Sequence, residues 1–167
     1  TYTTSSSQSI WGDGIYIYVA DNASGIRALS FDGTTFTEVG IYDTAGLSYD
    51  VWGDGTYIYV ADESGGIRAL SFDGITFTEE DNFSTSDNAW GVWGKGAYIY
   101  VAHGTNGVHA LTFDGTNLNL IDTFNTPDSA NDVWGDGTHI YVADGTSGVR
   151  AYTCLLYTSP SPRDNSG

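Results

Sequence analysis

Three histidines are the side chains of this 167-residue sequence whose ordinary pKa lies near neutrality. Two of them, His103 and His109, stand six residues apart. At the corresponding places elsewhere the chain has Asp21 and Arg27, Asp62 and Arg68, and Asp144 and Arg150. A carboxylate and a guanidinium facing each other across a short hairpin form a structural charge pair worth roughly 0.2–1 kcal/mol where exposed. Joint replacement of both members by His is what direct contact between the two positions produces. Two neutral imidazoles can ligate a metal ion such as zinc, so a divalent cation at His103 and His109 is the one cofactor expectation. A second set is Tyr49, Asp50, Trp90, Asn131 and Asp132, where equivalent positions differ most: Gln8, Tyr49, Trp90 and Asn131, then Ser9, Asp50, Gly91 and Asp132. Aromatic and polar groups side by side suit a ligand or partner surface. The chain has no GxSxG, no HExxH, no Ser-His-Asp signature, no phosphate-binding glycine loop and no calcium loop, so no catalytic residue is assigned.

These residues ride on a repeat. Trp11, Trp52, Trp93 and Trp134 are each 41 residues apart, and the text around them recurs as WGDGIYIYVAD, WGDGTYIYVAD, WGKGAYIYVAH and WGDGTHIYVAD. Each unit reads as four strands. In the second these are 48–53, 57–61, 66–72 and 76–81, with Asp54-Gly55 and Asp73-Gly74 as two-residue hairpin turns. The central strands are apolar on both faces (Tyr57, Ile58, Tyr59, Val60), so both faces must be covered. One unit cannot cover itself, and stacked neighbours must do so. Radial stacking of four-stranded antiparallel blades predicts an all-β fold, a β-propeller segment, with a linear β-solenoid as the alternative. The blades fall at about 7–42, 48–83, 89–124 and 130–153, three complete and one truncated. The repeated Trp and Tyr are read as packing between blades. The variable set opens the innermost strands, at one mouth of the central channel.

The strings Tyr59-Val60-Ala61-Asp62 and Gly66-Ile67-Arg68-Ala69-Leu70-Ser71-Phe72-Asp73, with their counterparts in each unit, resemble the LVIVD-type propeller repeat of bacterial and archaeal surface proteins. The resemblance covers roughly residues 7–153. It implies an exported, cell-surface module for interaction or scaffolding and carries no shared catalytic set. The leading expectation is therefore a non-catalytic propeller that contacts protein or glycan. The alternatives are a propeller-based hydrolase or lyase with its site at the channel mouth, and a purely structural surface repeat. An enzyme would need His, Glu or Arg converging at that mouth.

The repeat fails after Thr153. Phe31, Phe72 and Phe113 predict Phe at 154, yet Cys154 stands there, the only cysteine. Residues 154–164 resemble the translated read-through of a sequencing adapter, so 154–167 is expected to be a non-native tail. The parent protein is then expected to carry further blades, which would be partners of these. Twenty-one acidic against five basic residues give a net charge of −16. Such a surface repels nucleic acid and anionic lipid, and no apolar run is long enough for membrane insertion.

Overall fold

The computed structural model describes residues 1–154. These form fifteen strands in four antiparallel sheets, with one 3-10 turn at Gly145–Ser147 and no α-helix among the described residues. Blade 1 holds β1 (Ser9–Gly12), β2 (Ile17–Ala20), β3 (Ile26–Phe31) and β4 (Phe36–Tyr42). Blade 2 holds β5 (Asp50–Gly53), β6 (Ile58–Ala61), β7 (Ile67–Phe72) and β8 (Phe77–Phe83). Blade 3 holds β9 (Gly91–Lys95), β10 (Tyr98–Ala102), β11 (Val108–Phe113) and β12 (Leu118–Phe124). Blade 4 has three described strands, β13 (Ala130–Gly135), β14 (His139–Asp144) and β15 (Val149–Thr153). Within every sheet the strands lie in chain order. The first strands β1, β5, β9 and β13 touch one another in sequence, while the fourth strands barely approach. The first strands are therefore innermost, and the sheets fan out from them as propeller blades.

The core lies between the blades. Tyr59, Ala61, Ile67 and Ala69 of blade 2 meet Val92, Ile99, Val101 and Leu111 of blade 3, and blades 1–2 and 3–4 repeat the pattern. Adjacent residues of a central strand thus enter two different cores, which is why these strands show no polar alternation. Each wholly buried Ile or Leu contributes about 1.5–3 kcal/mol. The repeated Trp has a particular seat. Trp11 stacks on its cross-strand partner Tyr18 with ring centroids 5.7 Å apart, and its edge lies over Gly53 of the next blade. A Cβ on Gly53 would come within 2.5 Å of that ring. Trp52 sits over Gly94 and Trp93 over Gly135 in the same way.

The turns differ from the two-residue hairpins read in the sequence. In blade 2 the ladder ends at the pair Gly53 and Ile58, so residues 54–57 form a four-residue turn. Asp54 causes this: its Oδ1 accepts from the N–H groups of Thr56 and Tyr57, both at 2.8 Å. Its Oδ2 accepts from the Tyr59 hydroxyl at 3.0 Å. Asp13 and Asp136 act alike in blades 1 and 4. Blade 3 has Lys95 instead, and there the ladder runs one pair further, to Lys95 and Tyr98, leaving a true two-residue turn at Gly96-Ala97. With the capping carboxylate gone, strand pairing takes the freed backbone groups.

Candidate functional site

A buried ion network joins blades 1, 2 and 4 each to the segment preceding it. In blade 1, Arg27 Nε donates to Asp21 Oδ2 at 2.7 Å and its Nη1 to Glu38 Oε2 at 2.5 Å. Asp21 is wholly buried, and its Oδ1 also accepts from the Ser6 N–H at 2.7 Å. Burial pushes its carboxyl pKa up, but the Ser6, Arg27 and Ser5 bonds outweigh that and hold it below the usual value. In blade 2, Arg68 joins Asp62 at 2.7 Å and also Glu79, while Asp62 accepts from the Gly46 N–H at 3.0 Å. In blade 4, Arg150 joins Asp144 at 2.6 Å, and Asp144 accepts from the Asp128 N–H at 3.0 Å. The Asp of each pair is fully buried rather than exposed, so breaking a pair costs more than a surface bridge.

Blade 3 replaces this network by an uncharged one. The His103 and His109 rings lie with centroids 3.6 Å apart, and Phe83 meets His109 edge-on at 5.9 Å. His103 is wholly buried, and neither of its ring nitrogens has a hydrogen-bond partner; His109 Nδ1 has none either. Burial pushes the His103 pKa down to about 4, with His109 adding to the effect and Asp87 opposing it. Burial also lowers His109. The pair is thus neutral at pH 7. The structure brings the two imidazoles together, but among the described residues no group of three or more His, Cys, Asp or Glu side chains able to hold a metal ion forms around them. The carboxylate of nearby Asp87 accepts from the Thr105 N–H, the Thr105 hydroxyl and the Asn88 N–H. A third member also changed. Leu120 stands where Glu38 and Glu79 stand in blades 1 and 2, a substitution visible at the same 41-residue spacing.

The variable set lies at the start of the inner strands. Tyr49 and Trp90, both half-buried, belong to adjacent blades and meet edge-to-face with centroids 4.6 Å apart. One residue further on, Asp50 Oδ2 accepts from the Val92 N–H of blade 3 at 2.8 Å. Burial raises its carboxyl pKa, against bonds from Ser9, Val92 and Val51, and the charge of Asp132 adds to the rise. Asp132 packs over Gly91, its Oδ1 2.7 Å from where a Cβ would be. Asp50, Gly91 and Asp132 therefore stand side by side on consecutive blades. Asn131 departs from the expected alignment: the β13–β14 register shifts between Ala130 and Asp132, so Asn131 is bulged out and accepts from the Ser129 hydroxyl at 3.1 Å.

The LVIVD repeat matches residues 5–27, 45–68 and 87–109. The chain carries LVIVD repeats. Each match runs from the segment before a blade to the Arg or His of that blade's third strand, so it contains the Asp–Arg or His–His pair of that blade, while Glu38 and Glu79 lie beyond it. Among solved structures, the crystal structure of the computationally designed Ika4 protein is similar with a TM-score of 0.74 at 6% identity, over 91% of this chain and 93% of that one. A putative 6-phosphogluconolactonase from Bacteroides uniformis is similar with a TM-score of 0.72 at 16% identity, over 88% of this chain. The chain spans 50% of that protein's length. At these identities the likeness concerns the fold alone. No curated protein matches the sequence.

Proposed function

We propose that this LVIVD chain is a non-catalytic, exported β-propeller module that holds a protein or glycan partner at its inner-strand mouth. The observation that carries the reading is the Tyr49–Trp90 contact. Two aromatic rings from adjacent blades meet there, and the next position along consecutive inner strands holds Asp50, Gly91 and Asp132, with Asp132 against Gly91. Aromatic faces take the apolar face of a sugar or a peptide side chain, and carboxylates accept from its hydroxyl or amide donors. The bulged Asn131 adds an exposed amide at the same end. A bacterial or archaeal cell-surface location rests on the LVIVD resemblance. No helix among the described residues is long and apolar enough to cross a membrane.

Binding to glycan and peptide arrays tests the proposal. A ligand retained by the intact chain should lose roughly tenfold in affinity, about 1.4 kcal/mol, with Trp90→Ala. Tyr49→Ala should act in the same direction. Equal binding by both variants, with unchanged circular dichroism, would remove the mouth as the contact surface.

A further inference from the structure

The cleft between blades 1 and 2, at the turn end of the inner strands, is built unlike its counterparts at the other two interfaces. Tyr49 and Trp90 stand at the opposite end of those strands, just before β5 and β9 begin. Trp11, Asp13 and Tyr18 of blade 1 and Gly55, Tyr57 and Phe72 of blade 2 border a cavity of about 60 Å³. Two features set it apart. The blade 2 turn, 54–57, is four residues long, whereas the blade 3 turn at the next interface is only Gly96-Ala97. Between blades 3 and 4 the turn is again four residues, 136–139, but Lys95 stands where blade 1 has Asp13. The Lys95 Cε, Cδ and Cγ lie 3.3, 3.8 and 3.9 Å from where a Cβ on Gly137 would be. Nothing lies within 4 Å of the same point on Gly55, the counterpart of Gly137. The chain's own lysine thus runs along one cleft, and a carboxylate borders the other.

Asp13 is able to take a cation. Burial pushes its carboxyl pKa up, but bonds from the Tyr16 N–H, the Ile15 N–H and the Tyr18 hydroxyl outweigh that and hold it below the usual value. Arg27, Arg68 and Arg150 are paired with other carboxylates, and among the described residues no lysine or arginine pairs with Asp13. Its Oδ2 accepts from the Tyr18 hydroxyl at 3.0 Å and has capacity for a further donor. We propose that this cleft binds the lysine side chain of a protein partner, its ammonium donating to Asp13 and its methylenes lying against the rings of Trp11, Tyr57 and Phe72. Lysine buries its stem on apolar surface while its charged head finds a polar partner. The size agrees: about 60 Å³ holds about four water-sized atoms, as many as Nζ, Cε, Cδ and Cγ. The net charge of −16 draws a basic partner towards the chain.

NMR titration of the 167-residue chain with the peptide acetyl-Gly-Lys-Gly-amide tests this. Saturable shifts should appear at the Ile15, Tyr16, Thr56 and Tyr57 amides, with a Kd in the millimolar range. They should weaken as salt rises from about 0.01 to 0.15 M. The same peptide with its lysine acetylated carries no charge and should not bind. Asp13→Asn keeps a side-chain oxygen for the turn and should weaken binding about tenfold or more. Asp13→Lys gives blade 1 the residue that blade 3 carries and should abolish binding. Circular dichroism should be unchanged in both variants. Equal binding of the acetylated peptide, equal binding by Asp13→Asn, or shifts confined to the Tyr49 and Trp90 end overturns the proposal, as does a titration without saturable shifts. A response to n-butylammonium chloride without one to the peptide overturns it too, since a free amine would then be the ligand.

Discussion

Acidification from pH 7 to pH 4.5 removes about 2.5 kcal/mol of stability through His103 alone. The folded chain holds this imidazole neutral, with its pKa pushed down to about 4, whereas an unfolded His titrates near 6.5. The unfolded state therefore binds the proton first. Stability is complete above pH 6.5, falls as the pH drops towards 4, and levels off below that value. His109, also lowered by burial, acts in the same sense. The Asp87 carboxylate opposes the shift without reversing it. The perturbation that isolates this effect is the triple change H103D/H109R/L120E, which rebuilds in blade 3 the Asp–Arg–Glu network of blades 1 and 2. Urea unfolding of both proteins at pH 7, 5.5 and 4.5 cancels the titrations they share, including that of Asp50. The triple variant, which also removes the His109 titration, should gain at least about 2.5 kcal/mol on the original chain between pH 7 and 4.5. Parallel stability profiles across that window would refute a buried, neutral His103.

Two further outcomes test the packing. Gly94→Ala drives a Cβ into the Trp52 ring and towards the Tyr98 carbonyl oxygen, so it should cost about 1–3 kcal/mol in urea unfolding, whereas Gly12→Ala, under no ring, should cost far less. Arg68→Met leaves the wholly buried Asp62 without its cation and should lower stability by about 3–5 kcal/mol in urea unfolding at pH 7.

The architecture was legible because a 41-residue period repeats both strand composition and turn chemistry. The Trp of each WG pair and the two-sided apolar strands already required a blade on either side. The glycine that receives each ring was not legible, because Trp11 meets Gly53 rather than its neighbour Gly12, a relation set by how blades stack. Turn length is not legible from the Asp-Gly pair alone, because the Asp54 side chain bonds two N–H groups and ends the ladder early. Lys95 shows the counter-case. At the mouth, spacing placed Tyr49 and Trp90 in equivalent positions, and the structure adds that adjacent blades bring the rings into contact. The Asn131 bulge carries no signal in the residue types around it. Blade 3's third substitution, Leu120 for Glu, is legible at the same 41-residue spacing as the histidines.

The Trp-over-Gly seat also makes the blades interchangeable as couplings. Trp11, Trp52 and Trp93 would each fit any of Gly53, Gly94 or Gly135, since the surrounding Tyr, Ile, Val and Ala positions are nearly the same. Chains that refold together therefore have many wrong mates of near-native quality, and exchange of whole blades between molecules competes with correct stacking. Recovery after denaturation is thus governed by dilution: two chains that meet before their own blades have stacked can knit into one tangled but well-packed body.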